Sequence, residues 1–191
     1  VDLPGVINSD GALSLDKLPK SILIIGGGVI GMEFAQVMKR MDVEVTVVEM
    51  MPQILPTEDE AIAKTFSAMM QKEGIEILTN TSVSKIEDKG GKKLVTFGDK
   101  QKEVDLVLVA VGRSPYTEGL GLDKVGVAME KGFIKVNEFL ETSVAGIYAI
   151  GDAIGNYMLA HVATSEGETA AMNVLGKKHK MNYRSVPRAV Y

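Results

Sequence analysis

Residues Ser21 to Arg40 read SILIIGGGVIGMEFAQVMKR, and no other stretch limits the fold as tightly. Ser21 to Ile25 is a short, almost wholly apolar run, the pattern of a strand covered on both faces. Val29 to Met41 then carries Ile30, Phe34, Val37, Met38 and Met41 at helical spacing, with Glu33, Lys39 and Arg40 elsewhere. Between them stands Gly26-x-Gly28-x-x-Gly31. In a strand–turn–helix unit each glycine has a mechanical task. Gly26 permits the tight turn out of the strand, Gly28 lets the backbone approach a pyrophosphate, and Gly31 lets the helix pack closely on the strand. The helix N-terminus, at Val29 and Ile30, offers unpaired N–H groups and the positive end of its dipole to phosphates.

A second apolar run, Val43 to Glu49, is rich in β-branched residues and ends in an acid. At the end of the second strand of such a unit, a carboxylate accepts hydrogen bonds from both ribose hydroxyls of an adenosine and repels a 2′-phosphate. Glu49 therefore selects NAD over NADP, and no arginine stands at this strand end to reverse the choice. An acid here also suits FAD, so local spacing leaves the flavin open. Glu33 has two readings, a carboxylate favoured by the helix dipole or a contact toward the nicotinamide end of the ligand. Spacing does not separate them.

Further along, Thr57 and Glu60 predict a capping box, and Gly74 a left-handed stop. The helix between them carries Ile62, Phe66, Met69 and Met70 as its apolar stripe. From Ile75 the period changes: IEILTNTSVSKIED and KLVTFGD alternate around Lys89-Gly90-Gly91-Lys92, which predicts a hairpin in an antiparallel meander. Val104 to Gly112 predicts one more buried strand. The expected class is thus α/β, a Rossmann-like parallel sheet of three strands with an antiparallel meander. After Gly112 the chain turns loop-like and glycine-rich, with short strand signals at Phe133 to Val136 and Ile147 to Ile150. A helix over Leu159 to Leu175 places Val162, Ala163, Ala170, Ala171 and Val174 on one side. The closing residues turn apolar, as if opening a new strand.

Composition narrows the partners. A net charge of −4 and a pI near 5.3 offer no basic surface for nucleic acid. The cationic run Lys177, Lys178 and Lys180 around His179 reads as a solvated helix end. No apolar stretch reaches the length of a membrane span, and no basic-then-apolar leader opens the chain. With no cysteine there is neither a disulfide framework nor a thiolate metal site. The expected setting is the cytoplasm.

The segments IIGGGVIGMEFA, VAVGRSPYTEGLGLDKVGV, TSVAGIYAIGDA and MLAHVATSEG, in this order, resemble the pyridine nucleotide-disulfide oxidoreductases over nearly the whole chain. The sequence Leu159-Ala160-His161 is similar to members that oxidise dihydrolipoyl groups. The resemblance implies that electrons pass from a dithiol through a redox-active cysteine pair and FAD to NAD. It also removes the flavin from the glycine turn, because in the family only the NAD turn lies at this distance before the Asp152 motif. It places Gly26, Gly28, Val29, Ile30 and Gly31 on the NAD pyrophosphate, Glu49 and Met50 by the adenosine ribose, and Val83 against the adenine. Glu33 falls near the nicotinamide, and Gly112 and Arg113 in the loop beside the cofactor. Asp152 resembles the acid that binds FAD, and Met158, Leu159, Ala160 and His161 the segment facing its ring.

The departures matter as much. There is no cysteine pair, one glycine motif stands where the family has two, and the C-terminal acid/base pair is missing. The expectation is an excerpt with four parts. Residues 1–20 are a connector, 21–124 an NAD-binding Rossmann domain, 125–180 the C-terminal part of a discontinuous FAD-binding domain, and 181–191 the start of an interface domain. Such a chain is expected to bind NAD(H) without turnover and not to hold FAD by itself. Its parent would be a homodimeric, NAD-dependent oxidoreductase serving a lipoyl-bearing acyltransferase or carrier protein. The alternative parent is an NADH oxidase or another flavoprotein disulfide reductase.

Overall fold

The computed structural model describes residues 3–191; Val1 and Asp2, the first residues of the expected connector, lie outside the described residues. The chain divides into two compact units, one running to Gly112 and taking in Val190–Tyr191, the other Arg113–Ala189. The break falls before the expected boundary at 124/125, because the loop after Arg113 makes its contacts with the second unit: Thr117 Oγ1 donates to the Gly132 carbonyl at 3.3 Å.

The first unit is a five-stranded parallel sheet in the order β1-β8-β2-β3-β4. Its strands are β1 (Val6–Ile7), β2 (Ser21–Ile25), β3 (Glu44–Val48), β4 (Glu76–Leu78) and β8 (Leu106–Val109). Helices α1 (Ser9–Leu13), α2 (Val29–Arg40) and α3 (Glu60–Lys72) connect them, and β5 (Val83–Lys89), β6 (Lys92–Phe97) and β7 (Lys100–Val104) form a separate antiparallel sheet. From β2 the chain moves outward through β3 and β4, then returns through the antiparallel sheet to β8 on the other side of β2. The strand order therefore reverses at β2, the point at which open α/β sheets bind ligands beyond the strands' carboxyl ends.

Two cores follow from the alternation of side chains along each strand. Ile22 and Ile24 join Val45, Val47 and Leu108 on the face covered by the helices, while Leu23, Val48 and Val107 pack with Val95, Phe97 and Val104 of the antiparallel sheet. Sequence and structure differ in several places. The connector is no mere link, since β1 pairs in parallel with β8. The run from Ile75 splits, β4 joining the parallel sheet and only β5 the meander. Val104 to Gly112 splits likewise at Asp105. That carboxylate accepts the Lys20 and Ser21 N–H groups and the Ser21 hydroxyl at 2.9–3.2 Å. Burial would raise its pKa, but these donors hold it below the usual carboxylate range.

The helices turn inward faces that match the apolar spacing only in part: the expected Met38 and Met70 are buried, and Phe34 and Phe66 pack against the core. α2 buries Gly31, Met32, Ala35 and Met38 and leaves Val37 and Met41 exposed. α3 buries Ala63 and Met70 and exposes Ile62 and Met69. Its N-cap is Asp59, accepting the Ala61 and Ile62 N–H groups, in place of the expected Thr57–Glu60 box. Asp59 sits one residue before the helix, where a short carboxylate reaches the free amides directly. Gly74 ends the helix at φ 90°, and Gly90 and Gly91 turn the hairpin at φ 65° and 99°.

The second unit contains α4 (Leu122–Val125), the hairpin β9 (Met129–Glu130) and β10 (Phe133–Ile134), a 3₁₀ turn at Gly151–Ile154, and α5 (Ala160–Val174). Around Ile147 there is one bridge, Glu141 to Tyr148, and no strand. α5 buries Val162, Glu166, Thr169, Ala170 and Asn173, whereas Val174, expected inside, is exposed. Polar partners hold the segment after α5 on that face. Asn173 Nδ2 donates to the Phe139 and His179 carbonyls at 2.8 Å, and its Oδ1 accepts the His179 N–H at 2.6 Å. The chain then makes a 3₁₀ turn at Tyr183–Ser185 in place of a strand. Among the described residues no helix is long and apolar enough to cross a membrane.

The glycines of the first turn are required by the fold to different degrees. A Cβ on Gly31 would lie 2.0 Å from the Gly26 carbonyl oxygen, and one on Gly26 2.4 Å from the Ala110 carbonyl oxygen. Neither backbone atom can yield. Gly31→Ala is expected to cost about 2–3 kcal/mol of stability, the range of core overpacking, measured by urea unfolding of the chain.

Candidate functional site

The site in the first unit lies at the carboxyl ends of β2, β3 and β8. Gly26, at φ 104°, turns the chain out of β2, and its N–H continues the ladder to the Val48 carbonyl at 2.9 Å. Glu49 follows β3 directly and is 7% exposed. Its Oε2 accepts the Gly27 N–H at 2.6 Å and its Oε1 the Met51 N–H at 2.7 Å. The segment after it folds back over the turn, Leu55 N–H donating to the Gly27 carbonyl at 2.8 Å beside the buried Ile54. Both polar groups of Gly27 are thereby engaged, and the loop is held in one shape. Each carboxylate oxygen of Glu49 retains a second lone-pair site for a hydroxyl donor.

Gly28 differs from its neighbours. It is the N-cap of α2 with ordinary extended angles, φ −70° and ψ −177°, and a Cβ there would meet no atom within 4 Å. The protein's own packing does not demand glycine at this position. The open space lies over a helix end that no side chain caps, where the first-turn N–H groups of Val29, Ile30 and Gly31 have no intrahelical acceptor. The turn thus leaves open space beside free backbone donors, an arrangement that suits an anion.

The other expected residues spread more widely. Met50 is largely exposed beside Glu49. Val83 opens β5 and is partly buried against the second core. Glu33 lies beyond the first turn of α2, which weakens the helix-dipole reading, and its Oε1 accepts the Tyr191 N–H at 3.1 Å. Gly112 takes φ 138° beyond the end of β8, with open space around it.

Arg113 belongs to the second unit, where its Nη2 donates to Asp152 Oδ2 at 3.1 Å. Two residues expected on different cofactors thus form one ion pair, about half exposed on both sides. Asp152 sits in the Gly151–Ile154 turn. Met158, Leu159, Ala160 and His161 lead into α5, whose N-terminus also lacks a side-chain cap. His161 Nε2 lies 3.0 Å from the Pro187 carbonyl oxygen. Three residues at these places escape sequence reasoning. Gly27 sits among glycines with nothing to single it out. Glu166 is a charged residue within the helix predicted over Leu159 to Leu175 and Tyr183 lies in a polar tail, yet Glu166 is fully buried, accepting the Gly151 N–H at 2.6 Å and the Tyr183 hydroxyl at 2.8 Å.

A glycine turn at the switch point, an acid after the next strand and a meander before the closing strand make up an α/β unit of the dinucleotide-binding type. Residues 2–167 match the family described as pyridine nucleotide-disulphide oxidoreductase, and the chain belongs to that family. It is 42% identical over 187 residues to the dihydrolipoyl dehydrogenase of Chlamydia pneumoniae, covering 97% of this chain and 41% of that protein. It is 44% identical over 183 residues to that of Acholeplasma laidlawii, covering 93% and 53%. A leghemoglobin reductase of Glycine max is 42% identical over 198 residues, covering 100% and 38%. Among solved structures, the Cu(II) complex of a mutant of the HOCl-induced flavoprotein disulfide reductase of Escherichia coli superposes with a TM-score of 0.92 at 32% identity. It covers 98% of this chain and 43% of that one. The chain thus spans about two-fifths to half the length of these relatives.

The open space at Gly28 separates fold from binding. Gly28→Ala is expected to leave the urea midpoint unchanged, unlike Gly31→Ala, while weakening NADH binding about tenfold or more, an amount equal to 1.4 kcal/mol. Calorimetric titration of the two variants checks both halves.

Proposed function

We propose that this chain carries the NAD(H) site of a flavin-dependent dihydrolipoyl dehydrogenase. The observation that carries the reading is the open space at Gly28 over the uncapped end of α2, beside a carboxylate at the end of β3. The N–H groups of Val29, Ile30 and Gly31 bind the pyrophosphate, and Glu49 takes the adenosine ribose hydroxyls while holding the loop through Gly27. Its charge disfavours a 2′-phosphate. Met50 and Val83 flank the adenosine, and Glu33 and Gly112 lie toward the nicotinamide.

The second unit is assigned to part of a flavin site. Asp152, half-exposed, offers an acceptor for a flavin hydroxyl, and Met158 to His161 offer an uncapped helix start toward the ring. Arg113 is grouped here as the ion partner of Asp152. When bound, FAD would supply the two-electron relay between a dithiol and NAD⁺; Asp152 and Met158 to His161 would bind and orient it. The relatives named dihydrolipoyl dehydrogenase, at 38–44% identity, support dihydrolipoyl groups as the parent's substrate; a lipoyl-bearing acyltransferase or carrier protein and a homodimeric parent are proposed alongside it. With no cysteine among its 191 residues, the chain alone holds no redox disulfide and is assigned binding without turnover. A second reading, a flavoprotein disulfide reductase of another substrate, draws on the Escherichia coli reductase at 32% identity.

NADH is expected to bind about tenfold or more tightly than NADPH, and Glu49→Gln to narrow that gap; equal affinity of the native chain for both cofactors defeats the ribose assignment. Mixed with dihydrolipoamide and NAD⁺, the purified chain is expected to form no NADH. Catalytic turnover would overturn the binding-only assignment.

A further inference from the structure

Glu166 lies on α5 with no exposed surface, and its two oxygens serve two different parts of the second unit. One accepts the Gly151 N–H at 2.6 Å and the other the Tyr183 hydroxyl at 2.8 Å. A buried carboxylate is costly unless such donors compensate it, so the arrangement tolerates little displacement of either partner. Gly151 is left-handed, φ 67°, and opens the turn that carries Asp152. Tyr183 reaches the far end of the same segment: its ring stacks on Tyr157 with centroids 5.5 Å apart. Burial, with Glu166 adding to it, pushes the phenol up to about 12, so the hydroxyl remains a donor at neutral pH. One carboxylate therefore ties both ends of Gly151–Tyr157, directly at Gly151 and through Tyr183 at Tyr157.

We propose that Glu166, acting with Tyr183, is a positioning residue that sets the conformation of Gly151–Tyr157 and through it the direction of the Asp152 carboxylate. The functional meaning of this role rests on the assignment of Asp152 to the flavin. Gly151 has no freedom to drift while its N–H is held at 2.6 Å, and the turn it opens then presents Asp152 beside Arg113. Glu166 touches neither ligand nor reacting atoms in this scheme.

Backbone amide exchange followed by NMR in the full 191-residue chain tests the proposal. Glu166→Ala is expected to speed exchange at Gly151 about tenfold, the worth of one hydrogen bond to a charged group, with a smaller rise at Tyr157. The amides of β9 and β10 keep their rates. Glu166→Gln, whose carbonyl oxygen can still accept the Gly151 N–H, restores most of the protection. Tyr183→Phe loosens Tyr157 while sparing Gly151. Unchanged exchange at Gly151 in Glu166→Ala overturns the proposal, and so does a uniform rise across residues 113–189, which marks a merely structural role. Should Glu166→Ala fail to fold, Tyr183→Phe decides: unchanged exchange at Tyr157 overturns the linkage. A separate titration with FAD, read by flavin fluorescence, compares the native chain with Asp152→Ala. Quenching by the native chain that Asp152→Ala matches defeats the flavin assignment and leaves the exchange result standing.

Discussion

The Glu49 carboxylate bonds the Gly27 N–H at 2.6 Å and the Met51 N–H at 2.7 Å, and the glycine turn takes its shape from that clasp. Three adjacent glycines would otherwise be among the most mobile residues of a chain. Here the turn is closed from above by Leu55 on the Gly27 carbonyl and from below by Gly26 on the Val48 carbonyl. The acid that sequence reasoning assigns to a ribose is thus also the brace of the glycine loop. The two roles are compatible because a carboxylate has more acceptor sites than two amides occupy. They are also inseparable, since any change that alters its charge disturbs the loop.

Around this clasp the sheet supplies direction. Placing β8 and β3 on opposite sides of β2 opens a crevice at the strand ends where α2 begins. The helices on one face and the antiparallel sheet on the other bury Ile22, Leu23 and Ile24 completely, so β2 serves as a rigid base for the turn. A preorganised loop binds a flexible dinucleotide with less ordering cost at the moment of association. The second unit uses the same device in another form. There Glu166, also buried and also accepting a glycine N–H at 2.6 Å, braces the turn that bears Asp152.

Much of this was legible in the residues themselves. The spacing of Gly26, Gly28 and Gly31 required a strand before and a helix after, and β2 and α2 lie there. Gly90-Gly91 marked the hairpin because two consecutive left-handed residues suit few other structures. The errors have a common cause. α2 turns Met32 and Ala35 inward in preference to Val37 and Met41 because the helix must approach β2 closely at Gly31, and that contact sets its rotation. Val174 was placed inside α5 by hydrophobicity, yet Glu166, Thr169 and Asn173 occupy that face because their polar partners arrive from distant segments. The clasp at Glu49 was half visible: its position was plain, its backbone partners were not.

The sequence by itself determined the local order of elements, the glycine turn with its acid, and the family resemblance. Each of these follows from residues close along the chain or from a pattern of linked motifs. Only the tertiary structure decided which glycines the packing itself requires, with Gly31 pressed against the Gly26 carbonyl and Gly28 facing open space. Only it paired Arg113 with Asp152, joined β1 to the parallel sheet and buried Glu166 between Gly151 and Tyr183. These contacts join residues far apart in sequence, and no local periodicity records them. They depend on where the folded backbone brings a donor within 3 Å of an acceptor.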